Sequence, residues 1–171
     1  DNLNQASQSK LTHICNKLQL TQDDHVLEIG TGWGGFAIHA ARHYGCKVTT
    51  TTISEEQFDH ANELVTREGL GHLVTVLKQD YRDLNGLYDK LVSIEMIEAV
   101  GHDYLDTYIN TLSNRLKPDG IALIQAITIV EQRYQLAVKS VDFIKRYIFP
   151  GGFLPSIGSI MQSVGRASDL R

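Results

Sequence analysis

The sequence predicts an α/β fold, a parallel sheet with helices on both faces, and three observations lead there. Short β-rich runs alternate with stretches of helical period along most of the chain. The first strand, with Val26, Leu27 and Ile29, reads as covered on both faces. Residues 26–35, VLEIGTGWGG, then carry that strand into a glycine bend that opens a helix. Such a bend at the carboxyl end of a parallel strand is where α/β sheets take their ligands.

The elements follow in order. Leu3, Ala6, Leu11, Ile14 and Leu18 share a helical face, so 3–19 reads as an amphipathic helix. The strand over 26–29 and the glycine bend lead to a helix with Phe36, Ala37, Ala40, Ala41 and Tyr44 inward, ending at Gly45. His39 and His43 lie on its other face, read as solvated because no third metal ligand accompanies them. The second strand is 47–52, and Ser54 to Gln57 has the S-x-x-Q form of a capping box before a helix that runs to Gly69. The remaining strands are 74–78, 90–95 and 121–127, with a helix over 104–116 and a turn at 117–120, KPDG. Right-handed crossovers with a switch beside the first strand give the order 3-2-1-4-5. Residues 131–149 read as one long helix with a wide apolar face, and a short helix starts near Ser156. No closing strands follow, which leaves the fifth strand as an apolar edge. The expectation is a chain that is part of something longer, or an edge covered by a partner.

Composition narrows the function. The 171 residues suffice for one domain with a real core, at 42% apolar and 21% charged. A net charge of −4 gives no electrostatic case for nucleic acid. Cys15 and Cys46 form no C-x-x-C pair. No apolar run reaches membrane-span length and no signal peptide is visible, so the expected compartment is cytoplasmic.

Gly30, Gly32 and Gly35 satisfy G-x-G-x-x-G, which admits a nicotinamide dinucleotide. That cofactor also wants an acid at the end of the second strand to hold its ribose, and 47–54, KVTTTTIS, has none. Glu28 instead gives E-x-G-x-G-x-G, which resembles motif I of the S-adenosyl-L-methionine (SAM) dependent methyltransferases.

Beyond that motif, VLEIGTGWGG, TTISEEQ, QDYRDL, SIEMIEAVG, LKPDGIALIQAIT and FIKRYIFPGGFLPS together resemble the cyclopropane-fatty-acid synthase family, in order and over essentially the whole chain. The resemblance implies a Rossmann-like class I methyltransferase fold with its closing strands missing. It divides the chain into a SAM-binding core over 1–130 and a helical lid over 131–171. It further implies that Gly30, Gly32 and Gly34 lie against the methionine end of SAM, which Glu28 helps to order, that Trp33 also contacts the cofactor, and that Thr52, Ile53 and Gln57 contact the ribose. Gln57 is equally explained as a cap. Asp80 and Tyr81 would flank the adenine, with Ile94 lining the pocket. Glu98 aligns with a glutamate that holds a bicarbonate ion near the reacting carbon; its plainer reading is a helix-start carboxylate. The usual histidine after it is Ala99 here, and the strand-five histidine is Gln125, which can donate a hydrogen bond but not take up a proton.

The implied activity is methyl or methylene transfer to the double bond of an unsaturated phospholipid acyl chain, with Glu98 and Gln125 as the catalytic pair. Trp33, Tyr81, Tyr134, Phe143 and Tyr147 are aromatic candidates for stabilising a carbocation. Lys139, Lys145 and Arg146 suit an anionic head group and a peripheral membrane contact, and read equally well as the ordinary basic residues of a surface helix. Alternatives left open are a small soluble acceptor, a SAM-binding fragment without activity, and a nicotinamide oxidoreductase. The oligomeric state, a homodimer included, is left open too.

Overall fold

The computed structural model describes residues 2–141, 144–148 and 150–171. Five strands, β1 (His25–Ile29), β2 (Lys47–Thr52), β3 (Val74–Lys78), β4 (Tyr88–Ile94) and β5 (Leu116–Gln125), form one sheet in the order β3-β2-β1-β4-β5. β1 pairs in parallel with β2 and β4, and β2 with β3. The helices are α1 (Leu3–Leu18), α2 (Gly35–Tyr44), α3 (Glu55–Arg67), α4 (Leu105–Arg115), α5 (Glu131–Lys139) and α6 (Ile157–Ala167). This is the sheet order expected of a class I methyltransferase, and among the described residues no strand follows β5.

The chain divides into two compact units. Unit one comprises 1–92 and 115–123, and unit two comprises 93–114 and 124–171. Unit one holds the sheet core, with Val26, Leu27, Ile29, Val48, Leu91 and Val92 buried. β1 and β2 are buried along nearly their whole length, whereas β5, at the sheet edge, is only half-buried. Unit two packs around Tyr108, Ile109, Leu112 and Ile97.

Several expectations need correction. Only the second half of α1 packs: Leu11, Ile14, Cys15 and Leu18 are buried, but Leu3 and Ala6 are exposed. His39 is buried rather than solvated, its Nδ1 2.8 Å from Gln8 Oε1 and its Nε2 3.2 Å from Thr12 Oγ1, so it fastens α2 to α1. Burial pushes its pKa down.

The predicted long helix stops at Lys139, because Ser140 turns extended (φ −106, ψ 148). The Lys145 ammonium donates to the carbonyls of Ala137 and Ser140, placing a cation on the helix C-terminus. A π-type turn follows at Ile144–Ile148. The part of that prediction resting on Asp142, Phe143 and Phe149 lies outside the described residues.

The predicted KPDG turn lies inside β5. Yet a Cβ on Gly120 would fall 2.6 Å from Leu116 Cγ, whereas residues four apart in a strand are separated by about 13 Å. The chain therefore bends back between them.

α6 starts at Ser156, whose hydroxyl accepts from Ser159 N in a capping box. Its inward face is polar. Ser163 Oγ donates to Asp106 Oδ1 at 2.6 Å, and the Arg166 guanidinium closes on the same carboxylate at 2.6 and 2.7 Å. Outward lie Ile157, 67% exposed, and Met161, 62% exposed.

Candidate active site

In unit one, β1 delivers its backbone into a bend that β2 holds from the side. Gly30 N and Thr31 N both donate to Thr51 O, at 3.1 and 2.9 Å. Gly32 has φ +52, and a Cβ built there meets nothing within 4 Å, so the bend opens onto free space. Gly34 (φ +84) caps α2, and a Cβ there would sit 3.4 Å from Ala61 Cβ, which is how α2 comes close to α3. The first N–H groups of α2 have no intrahelical acceptors and carry the positive end of its dipole.

Behind the bend, Glu28 is 2% exposed. Thr50 Oγ1 donates to its Oε2 at 2.6 Å, and Thr31 Oγ1 lies 2.7 Å from Thr50 Oγ1. Burial pushes the Glu28 pKa up to about 8, against the opposing hydrogen bond from Thr50. The carboxyl is therefore mostly neutral at pH 7 until a positive charge arrives beside it.

The rim of the bend collects the other residues expected in unit one. Trp33 is 60% exposed and stands edge-on to His60, ring centroids 5.4 Å apart. Ile53, at the end of β2, is 75% exposed. Ser54 Oγ accepts from Gln57 N, as in a cap, but the reciprocal half of the box is absent. Gln57 Oε1 instead accepts from Thr52 Oγ1 at 2.8 Å, joining the two residues expected at a ribose. Asp80 caps the short turn Tyr81–Asp83 and pairs with the Arg82 guanidinium at 2.7 and 2.9 Å, which holds its carboxyl below the usual range. The Tyr81 ring is half-buried, which pushes its hydroxyl pKa up.

Unit two begins at the last residues of β4, with Ile94 half-buried. Glu98 lies in the turn Ile97–Ala99 that follows. Its Oε1 accepts from Ile127 N at 2.5 Å, and its own carbonyl accepts from Phe153 N at 2.9 Å. Its Oε2 is buried and has no partner among the described residues. The segments after β4, after β5 and around Phe153 are thus tied together at one glutamate. Gly101 (φ +86) belongs to the same knot, because a Cβ there would sit 3.2 Å from Gly151 O.

Gln125 does not reach Glu98. Its Nε2 donates to Glu95 Oε1 at 2.6 Å. Sequence reasoning also missed His102, whose Nδ1 lies 2.9 Å from the Tyr134 hydroxyl and whose ring lies 6.0 Å from Phe153. Tyr134 and Phe153 are themselves buried. The glycine before His102 was the one available signal. Tyr147 is exposed beneath the Arg146 guanidinium, and Phe143 lies outside the described residues. A cavity of about 330 Å³ lies in unit one at Asp24, Asp89 and Lys117, at the amino ends of the strands.

An open glycine bend backed by a buried acid, on a 3-2-1-4-5 sheet, defines a chain of the class I methyltransferase type. A family model described as mycolic acid cyclopropane synthetase matches residues 1–170, and the chain belongs to that family. Cyclopropane-fatty-acyl-phospholipid synthase of Escherichia coli K12 is 47% identical over 163 residues, covering 95% of this chain and 41% of that protein. Tuberculostearic acid methyltransferase UfaA1 of Mycobacterium tuberculosis is 40% identical over 166 residues, 97% of this chain and 39% of its own length. The crystal structure of mycolic acid cyclopropane synthase CmaA1 complexed with SAH and CTAB superposes with a TM-score of 0.88 at 26% identity, covering 98% of this chain and 62% of that one. The chain thus spans about two-fifths of the length of the two named relatives.

Proposed function

We propose that this chain is the core of an enzyme that uses SAM to methylate the double bond of an unsaturated phospholipid acyl chain, giving a cyclopropane or a methyl- or methylene-branched product. The observation that carries this reading is the Glu98 carboxylate, with one oxygen fixed by Ile127 N and the other buried and unbonded. An alkene has no proton to remove before it attacks a methyl group, so a His or Lys base for the acceptor is not needed. A cyclopropane or methylene product then needs a base to remove a proton, whereas a saturated methyl branch needs a hydride donor instead.

The unit-one residues fit SAM. At Gly32 the bend has no side chain in the way of a methionine portion, and Glu28 can ionise beside a cation. With Gln57 Oε1 taken by Thr52, its amide nitrogen is the end suited to a ribose hydroxyl. Tyr81 offers a face for the adenine. SAM, when bound, supplies an activated methyl group on a sulfonium.

Bicarbonate fits Glu98 as well, since Oε2 lacks a hydrogen-bond donor and bicarbonate carries an O–H. When bound, it supplies a base for the final proton loss. Glu98 then does two things: it accepts that hydroxyl, and through Ile127 and Phe153 it holds the surrounding loops in place.

Residues 131–171 form the lid in this reading, with Lys139 and Arg146 toward an anionic head group at the cytoplasmic membrane face. Lys145 is engaged at the end of α5. Among the described residues no helix is long and apolar enough to cross a membrane, and the contact proposed is peripheral. The test is mass spectrometry of membrane lipids from cells that express the full-length protein and are fed labelled methionine. A gain of one labelled CH₂ on unsaturated chains is the expected result. Unlabelled lipids beside a labelled soluble metabolite would overturn the lipid assignment.

A further inference from the structure

At the end of β4, Glu95 has φ +52, the left-handed region that a residue with a side chain enters only at a cost. It is neither Gly nor Asn, and it lies in the bend just before Met96, the N-cap of the short turn Ile97–Ala99. The conformation does bring Glu95 against Gln125 at both backbone and side chain. Glu95 N donates to Gln125 O at 2.8 Å, and Gln125 Nε2 donates to Glu95 Oε1 at 2.6 Å. An ionised carboxylate can only accept, so the amide has one orientation available to it: its NH₂ turns toward Glu95 and its planar geometry turns the carbonyl oxygen away.

We propose that Glu95 is a positioning residue: it locks the Gln125 amide so that its carbonyl oxygen, a hydrogen-bond and cation acceptor, is what Gln125 presents to the reacting acyl chain. The role rests on the acyl methyl-transfer reading. An acceptor fixed in advance where positive charge develops lowers the barrier without reorganising during the step. A freely turning amide would average its donor and acceptor ends. The left-handed backbone at Glu95 is tolerated because it aims the carboxylate at Nε2.

The test uses the full-length protein, SAM and vesicles of dioleoyl phosphatidylglycerol. Glu95→Gly suits the left-handed backbone better than glutamate does, so its thermal midpoint is expected to hold. Its kcat is expected to fall about 10- to 100-fold, with KM for SAM unchanged. Glu95→Ala should lose as much kcat. Glu95→Gln keeps a hydrogen bond to Gln125 but can donate as well as accept, so it frees the amide to turn and should lose as much kcat, whereas loss of a merely structural contact would spare this variant. Wild-type kcat in Glu95→Gly or in Glu95→Gln would overturn the proposal; the latter would make the contact, and not the orientation of the amide, the essential feature.

A second readout needs no substrate. The Gln125 side-chain amide protons, assigned by their loss in Gln125→Glu, should be protected from solvent exchange in wild type, less protected in Glu95→Gln and unprotected in Glu95→Gly. Equal protection in all three removes the lock. A wild-type enzyme that methylates no lipid counts against the acyl reading alone, and the exchange result still decides the lock.

Discussion

Two glutamates at the carboxyl ends of adjacent strands meet opposite conditions. Glu28 on β1 is sealed in, its oxygen served by Thr50 and the hydroxyl chain continued by Thr31. Glu98, after β4, has one oxygen on Ile127 N and one buried oxygen with no partner among the described residues. Unit one thus bonds its buried carboxyl internally and leaves free space over Gly32, while unit two leaves one glutamate oxygen unbonded among the described residues. A ligand that enters unit one is recognised by room and by charge. A ligand that enters unit two is recognised by a missing hydrogen-bond donor, because an unpaired buried oxygen costs about 1–3 kcal/mol until something supplies one.

That contrast can be broken at several points. The largest effect is expected from Glu98→Gln, which keeps the acceptor for Ile127 N but replaces Oε2 with a donor. The rate of lipid methylation should fall about 10²-fold or more, while SAM affinity measured by calorimetry stays constant. An equal loss of SAM affinity would dissolve the division between the units.

Next, Gly32→Ala puts a methyl group into the free space of the bend. SAM Kd should rise about tenfold or more, against about 1 kcal/mol of folding stability for the left-handed backbone. Unchanged SAM affinity would mean that the space over Gly32 is not where the ligand lies.

Glu28 sharpens the comparison through pH. Its folded pKa, about 8, stands above the ordinary 4.5, so between these values the folded state holds a proton that the unfolded state has released. Stability should therefore decline as pH rises through that window, by at most about 1.4 kcal/mol per pH unit. Glu28→Gln should flatten this slope in urea titrations at pH 5, 6.5 and 8. The same slope in wild type and variant would place the proton elsewhere.

The smallest effect belongs to Lys145→Met, which uncaps α5. The end of that helix should loosen by less than about 1 kcal/mol, visible as faster hydrogen exchange near Ala137 and none in unit one.

Much of the fold was readable because its signals are local. The limits of β2 and β3 match their predicted runs, and the glycines, Ser54 and Ser156 mark bends and helix starts by chemistry confined to a few residues. The pairs that define unit two were not readable, because Glu98 meets Ile127, and Glu95 meets Gln125, only after two strands have been laid side by side. His39 has the sequence look of a surface residue, since its partners Gln8 and Thr12 lie a helix and a strand earlier. The long helix over 131–149 was misread for a related reason. Its apolar period runs on through Ser140, whereas the backbone turns extended there and Lys145 bonds the carbonyls of Ala137 and Ser140. Gln57 shows the converse: the capping pattern predicted its backbone bond correctly but sent its side chain to the wrong partner, because Thr52 competes.

α6 has a practical consequence for anyone who handles these 171 residues alone. It is moored through serine, aspartate and arginine, so Ile157 and Met161 stand in water on successive turns. Neighbouring oily side chains on one stripe favour sticking to other molecules as concentration climbs. Light scattering at increasing concentration should register that growth, and Ile157→Lys with Met161→Glu should suppress it while leaving the Ser163–Asp106 mooring in place.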